Sequence, residues 1–366
     1  MKKIYIGLDI NAPSRTIFFK FQLPLIFKGN YLVVPDLNDA DFVIIPNSNN
    51  EINKILNYRN YNYLYNNKIP VLIIKPHFER DIRIKYKNFL GKLKAILNRF
   101  RFRESLYKIP EKLRSLNITL ICDNRRIDRF FKSNGWETFY LPLTYFENKK
   151  FKELKKIKLI KSPEIVYMGE ITHFLEWIDN IKFLLEKKEF LKYKIRMFAF
   201  GSYSKQSIEA FIGKEKLIWD SFEFNYKKML LKTENAVFGL IPHNKSESNY
   251  EPNLKNYLNL FSNQPNEVKI IEKYSSNSGR NHLMSSLGIP FITSPSENVL
   301  IEFNYYPFEL FIESKNELYY AAKKLIDEEL RQKISAKLIY EYNNNFSPKY
   351  GMIKLEKYLI SKINEK

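Results

Sequence analysis

Cysteine is nearly missing from this chain: Cys122 is the only one in 366 residues. That excludes an internal disulfide and any zinc site built on a cysteine cluster. Long apolar runs are missing too. No run of about 18 apolar residues occurs, so no transmembrane helix is expected. The opening Met1–Asp9 has too short an apolar part for a signal peptide and reads as a first strand. Together these absences predict a cytoplasmic protein. Metal patterns are also lacking. No pair among the four histidines has ligand spacing, and Asp39-Ala-Asp41 precedes an apolar run, where a ligand is not expected. No metal is therefore expected. There is no Gly-x4-Gly-Lys-Ser and no Gly-x-Ser-x-Gly, which speaks against a P-loop NTPase and an α/β-hydrolase.

What is present is charge and aromatic bulk. Hydrophobic residues make up 45% and charged residues 27%, the balance of a folded chain long enough for two cores. The net charge of +20 invites an anionic partner: nucleic acid, a membrane surface or a phosphorylated substrate. The chain is also rich in Lys, Asn, Ile, Tyr and Phe. Such a bias is what an AT-rich genome produces, and part of the basicity belongs to it.

Short apolar runs alternate with helical patterns along the chain. Strands are predicted at Lys3–Leu8, Tyr31–Val34, Phe42–Ile45, Val71–Ile74, Ile118–Cys122 and Thr138–Leu141. Helices are predicted at Pro13–Leu25, Ile52–Asn66 and Asp128–Asn134, with Gly135 closing the last. A lysine-rich stretch, Glu147–Lys161, then interrupts the periodicity and reads as a linker. Strands resume at Glu164–Met168, Ile195–Phe200 and Ala236–Ile241, with a helix at Phe174–Leu185. Asn249–Glu267 reads as a long polar loop. Helices at Glu317–Leu325, Asp327–Tyr342 and Met352–Ile363 end the chain. Strand–helix alternation in two halves predicts two doubly wound α/β domains, residues 1–150 and 151–366. Ligands in such sheets bind beyond the carboxyl ends of the strands.

One segment is richer than the rest. Ser275–Ser294 reads as a polar turn, a short helix, a glycine stop and a buried strand. Ser275–Gly279 offers backbone N–H groups at a positive helix end, and Arg280 adds a cationic fork there. Gly288 stands where a helix terminus needs φ > 0, and Pro290 blocks continuation. This is one way to build a phosphate site, and it is also how an ordinary helix-to-strand connection is made.

Four segments in order carry a resemblance to a known family. They are Ile165-Val-Tyr-Met-Gly-Glu170, Met197-Phe-Ala-Phe-Gly-Ser202, Ala236-Val-Phe-Gly-Leu-Ile-Pro-His243, and the polar turn and Arg280 followed by Gly288-Ile-Pro-Phe-Ile292. They resemble the nucleotide-sugar half of the GT-B glycosyltransferases close to family four, over roughly Glu164–Ser294. The resemblance is loose over the first 150 residues. It implies two Rossmann-like domains facing a cleft, with C-terminal helices crossing back, and transfer of a sugar from a nucleotide-activated donor. The donor would lie on residues 164–300 and a glycan or lipid-linked glycan acceptor on 1–146. The setting implied is bacterial surface polysaccharide or lipo-oligosaccharide synthesis, with no metal. Two departures stand out. Leu283 occupies the place of a family Glu that touches the donor, and Glu170–Glu176 lacks the usual Arg and Lys. Either Arg280 carries more of the phosphate charge, or the donor is another nucleotide such as a CMP-sugar, or the site is a relic without activity.

The candidate residues follow strand ends. His77, after Val71–Ile74, and Asp9, after the first strand, are candidate bases. Asn11 and Arg15 are candidate acceptor contacts. In Asp9–Arg15 the sequence Asp-Ile-Asn-Ala-Pro-Ser-Arg stands where a glycine-rich loop is often found. Gly169, Gly201, Ser202, His243, Ser276, Asn277, Ser278, Gly279 and Arg280 are the candidate donor contacts. His282 reads as half-buried and structural. Arg83–Arg103 holds eight basic residues with apolar positions at helical spacing. It suits an anionic membrane surface, on the inner face of the membrane, or a core-facing helix with a lysine-rich side. Its aromatics do not have the alternation of a nucleic-acid stacking platform, so no nucleic acid is expected. A basic nucleic-acid-binding protein remains the alternative from another class.

Overall fold

The structure is a computed structural model that describes residues 2–7, 31–74, 111–146, 156–157, 160–175, 177–200, 205–223, 225–242 and 278–364. The expectations at Pro13–Leu25, Arg83–Arg103 and Asn249–Glu267 lie outside these, as does most of Glu147–Lys161. The chain forms two compact units. The first comprises Met1–Pro142, Ile271–Ser275 and Met352–Lys366, and the second Leu143–Ile270 and Ser276–Gly351.

In the first unit the described strands are β1 (Lys2–Ile6), β2 (Tyr31–Val34), β3 (Phe42–Pro46), β4 (Val71–Ile74), β5 (Ile118–Cys122) and β6 (Glu137–Tyr140). They make one parallel sheet in the order β2-β1-β3-β4-β5-β6. A central parallel strand is covered on both faces, so it needs an unbroken apolar run. β3 and β4 obey this, and β5 departs only at Thr119, whose hydroxyl has a partner; every residue of the three is buried. The edge strands β2 and β6 are largely exposed or half-buried. Two helices, α1 (Asn49–Leu56) and α2 (Tyr58–Asn66), replace the single helix expected over Ile52–Asn66. The break is Asn57, whose ψ of 135° leaves the helical region while its side chain accepts from Arg59 N and caps the second helix. α3 (Arg125–Ser133) ends at Gly135, whose φ of +77° suits glycine.

The second unit has β7 (Glu164–Glu170), α4 (Ile171–Leu175), α5 (Ile178–Leu185), β8 (Lys194–Phe200), α6 (Lys205–Ile212), β9 (Leu217–Asp220), α7 (Tyr226–Lys232) and β10 (Ala236–Ile241). Then come α8 (Gly279–Leu287), β11 (Phe291–Thr293), α9 (Glu297–Glu302), α10 (Lys315–Lys324) and α11 (Glu328–Glu341). The described strands form a parallel sheet in the order β11-β10-β7-β8-β9. β9 and helices α6, α7 and α9 have no counterpart in the sequence-based prediction. β9 is a short edge strand with one buried residue, too brief to carry a periodic signal. Arg196 of β8 pairs with Glu164 of β7 at 2.5 Å and with Asp220 of β9 at 3.0 Å, tying three strands together. The core is aromatic, with Tyr167, Phe174, Phe190, Phe198, Phe238, Phe291 and Phe303 all fully buried.

Of the C-terminal helices only the last, α12 (Pro348–Asn364), joins the first unit, from Met352 onward. Met352, Leu355 and Leu359 recur at helical spacing and pack on Ile4, Phe42, Leu72 and Ile121. Burying each contributes about 1.5–3 kcal/mol as an upper estimate. Tyr358 adds hydrogen bonds of 2.6 Å to Thr119 and 2.6 Å to Glu137.

Candidate functional site

The sheet order places β11, β10 and β7 side by side, so three carboxyl ends lie together in the second unit. Helix α8 starts over them. Its close approach depends on Gly239 in β10: a methyl group there would lie 2.8 Å from Met284 Sδ. Asn281 Nδ2 donates to Thr293 Oγ1 at 3.3 Å, and Thr293 Oγ1 donates to Ile241 O at 3.3 Å. These contacts join the first turn of α8 to the ends of β10 and β11.

Arg280 is the half-buried cation of that turn. Its guanidinium donates to Tyr167 OH at 3.5 Å and to Pro242 O at 3.3 Å. It therefore spans the ends of β7 and β10. Gly169, the penultimate residue of β7, has φ +150°, a region that side chains disfavour. A methyl group on it would lie 3.0 Å from Arg280 Cδ, so the missing side chain also makes room for the arginine. The structure thus brings together Gly169, Ser278, Gly279 and Arg280 of the expected donor contacts. Asp9, Asn11, Arg15, His77, Gly201, Ser202, His243, Ser276 and Asn277 lie outside the described residues.

Behind this turn is a buried polar cluster that sequence reasoning missed. Ser278 is the N-cap residue of α8, yet its side chain makes no capping hydrogen bond. Its hydroxyl instead donates to Glu302 Oε2, and it accepts from Asn298 Nδ2 at 3.0 Å. His282 Nε2 meets the same Glu302 oxygen at 2.8 Å. All four side chains are buried. His282, expected half-buried, is completely so, between Phe303 at 5.1 Å and Phe346 at 4.6 Å. Burial pushes its pKa down to about 3, so the ring is neutral at ordinary pH. Leu283 is part of the apolar core. Ser278 and His282 share one face of α8, and Asn298 and Glu302 share one face of α9, but only the packing of the two helices brings these faces together.

Two parallel, doubly wound α/β units with a final helix returning to the first define the GT-B fold class. No protein-family model matches the chain, and no curated protein matches it. Solved structures do. TarM aligns over 96% of this chain and 58% of its own, at 10% identity with a TM-score of 0.53. S. aureus MnaA, solved with UDP, aligns over 100% and 99%, at 13% identity and a TM-score of 0.50. The apo structure of OtsA aligns over 87% and 73%, at 14% identity and a TM-score of 0.50. At such identities the likeness is one of fold. The chain spans little more than half the length of TarM. No helix among the described residues is long and apolar enough to cross a membrane.

Proposed function

We propose that the chain is a glycosyltransferase that moves a sugar from a nucleotide-activated donor to a glycan or lipid-linked glycan acceptor. The observation that carries this reading is Arg280, held at the start of α8 against Gly169 and Pro242 at the ends of adjacent parallel strands. A cationic fork and a helix N-terminus together suit a phosphate, and charge grows on the leaving phosphate as the glycosidic bond breaks. The likeness of fold to MnaA, solved with UDP, supports a nucleotide donor and makes UDP the first to try. Arg280 and the helix dipole stabilise the leaving group without a metal. His77 or Asp9 is the proposed base, Asn11 and Arg15 the proposed acceptor contacts. The proposed setting is bacterial surface polysaccharide or lipo-oligosaccharide assembly, at the cytoplasmic face of an anionic membrane to which the basic Arg83–Arg103 binds.

Thermal shift with UDP, GDP, CMP and oligonucleotides tests the core of the reading. A rise in melting temperature with one nucleotide, followed by turnover of the matching nucleotide sugar in the presence of a chelator, is the expected result. Stabilisation by oligonucleotides alone, falling steeply with salt, would replace the transferase with a nucleic-acid binder.

A further inference from the structure

We propose that Glu302 is a positioning residue that sets the rotation of the first turn of α8 and so aims Arg280. The inference rests on the donor reading of the same turn. Ser278 and His282 are one turn apart, and both bond the same oxygen, Glu302 Oε2. One carboxyl group thus grips both ends of the turn. Asn298, one turn before Glu302 on α9, adds a second hold on Ser278 Oγ at 3.0 Å. Two faces with a four-residue repeat therefore oppose each other, each presenting polar groups to the other.

The helical repeat says what this grip does to Arg280. At 3.6 residues per turn each residue advances about 100°, so Arg280 lies about 200° around the helix from Ser278. Seen from His282 the offset is the same in the other sense. The grip and the guanidinium are on opposite sides of one turn. Fixing the first side fixes the direction of the second, toward Gly169, Tyr167 and Pro242. Ser278 is diverted for this purpose. Serine at an N-cap ordinarily accepts from the backbone of its own helix, and here the hydroxyl is committed to α9 instead. A buried carboxyl group, a histidine and an amide form a connected polar network between α8 and α9, a hold on the turn beside the one that Asn281 makes on Thr293.

The test is a double-mutant cycle read twice, once as nucleotide affinity and once as melting temperature. The probe is whichever of UDP, GDP or CMP stabilises the wild-type chain. Glu302→Gln is made alone and with Arg280→Ala, and affinity is measured by calorimetry up to millimolar nucleotide. If Glu302 acts through Arg280, Glu302→Gln weakens binding about tenfold in the wild-type background and less than about twofold beside Arg280→Ala, while its effect on melting temperature is equal in both. An equal loss of affinity in both backgrounds, or none in either, overturns the inference and leaves the donor site standing. Should Glu302→Gln fail to fold, Ser278→Ala, which removes one hydroxyl and keeps the Glu302–His282 contact, carries the same cycle. A wild-type chain indifferent to every nucleotide, or an Arg280→Ala variant that binds like wild type, overturns the donor reading and this inference with it.

Discussion

Gly169 and Arg280 compete for one space: a methyl group on the glycine would lie 3.0 Å from Arg280 Cδ and 3.2 Å from Nη1. The glycine's φ of +150° adds a second reason for its identity. Gly169→Ala therefore combines backbone strain, about 1–3 kcal/mol, with displacement of the guanidinium. The expected outcome is a lower melting temperature together with a loss of nucleotide affinity. A variant that melts early but binds nucleotide and turns over as wild type does would show that Arg280 is not used for the donor.

Arg280 itself makes the larger prediction. Contacts aimed at charge that develops in the transition state act on turnover more than on ground-state binding. Arg280→Ala should lower kcat about 10²–10³-fold, as loss of one such donor does elsewhere. Arg280→Lys should recover little, because an ammonium is a point charge and lacks the guanidinium fork. Ser286→Ala is the control. Its hydroxyl bonds Leu283 O at 2.7 Å within the same buried helix, so it shifts stability and leaves kcat near wild type. Steady-state turnover with matched melting curves decides between them.

The strands that sequence reading placed with closest bounds are those whose physics is most local. Val71–Ile74 is an unbroken apolar run and Ile118–Cys122 one interrupted only by Thr119, because both faces of their sheet are covered; both end where expected, as does the short edge strand Tyr31–Val34. The buried Ala236–Ile241 does so too. Gly288 was legible for the same kind of reason: its φ of +68° is one that glycine tolerates and its position after α8 demands. Asn57 was not legible, because asparagine can sit within a helix or cap the next one, and only tertiary context decides. Asn298 and Glu302 were invisible for a different reason. Their partners, Ser278 and His282, lie about twenty residues earlier, and a buried polar cluster has no periodic signature when its halves belong to different helices. Arg280 could be named as a candidate from the turn and the glycine stop, but its seat against Gly169 needed the strand order.

Gly239 offers a test of packing rather than chemistry. It sits in a fully buried strand, and a methyl group there would meet Met284 Sδ at 2.8 Å and Cε at 2.9 Å. Methionine is flexible, so Gly239→Ala is accommodated by a shift of that side chain at a small cost. Gly239→Val is not, and overpacking of this kind costs about 1–3 kcal/mol. It should push α8 away from β10, so denaturant unfolding and nucleotide affinity should both suffer in the valine variant and neither greatly in the alanine one. Equal stability of the two variants would mean that the helix does not need this close approach.

His282 gives the second unit a pH dependence with a definite sign. Complete burial lowers its pKa from the usual 6.5 to about 3. In the unfolded chain the ring takes up a proton below about pH 6.5, while in the folded chain it stays neutral until about pH 3. The unfolded state therefore binds more protons throughout this window, and stability falls as pH falls across it. The full contribution is present above the unfolded value and is lost progressively toward the folded one. The slope approaches about 1.4 kcal/mol per pH unit well below 6.5, on top of whatever the carboxylates contribute. The group facing the ring nitrogen is Glu302 at 2.8 Å, and phenylalanine rings flank the imidazole. His282→Gln keeps an amide donor for Glu302 and removes the titration. Melting temperatures of both proteins should be followed from pH 7.5 to pH 4.5. The wild-type chain should lose stability more steeply than the glutamine variant, so the gap between them at neutral pH narrows on acidification. Parallel curves for the two proteins would show that this histidine does not titrate between the folded and unfolded states.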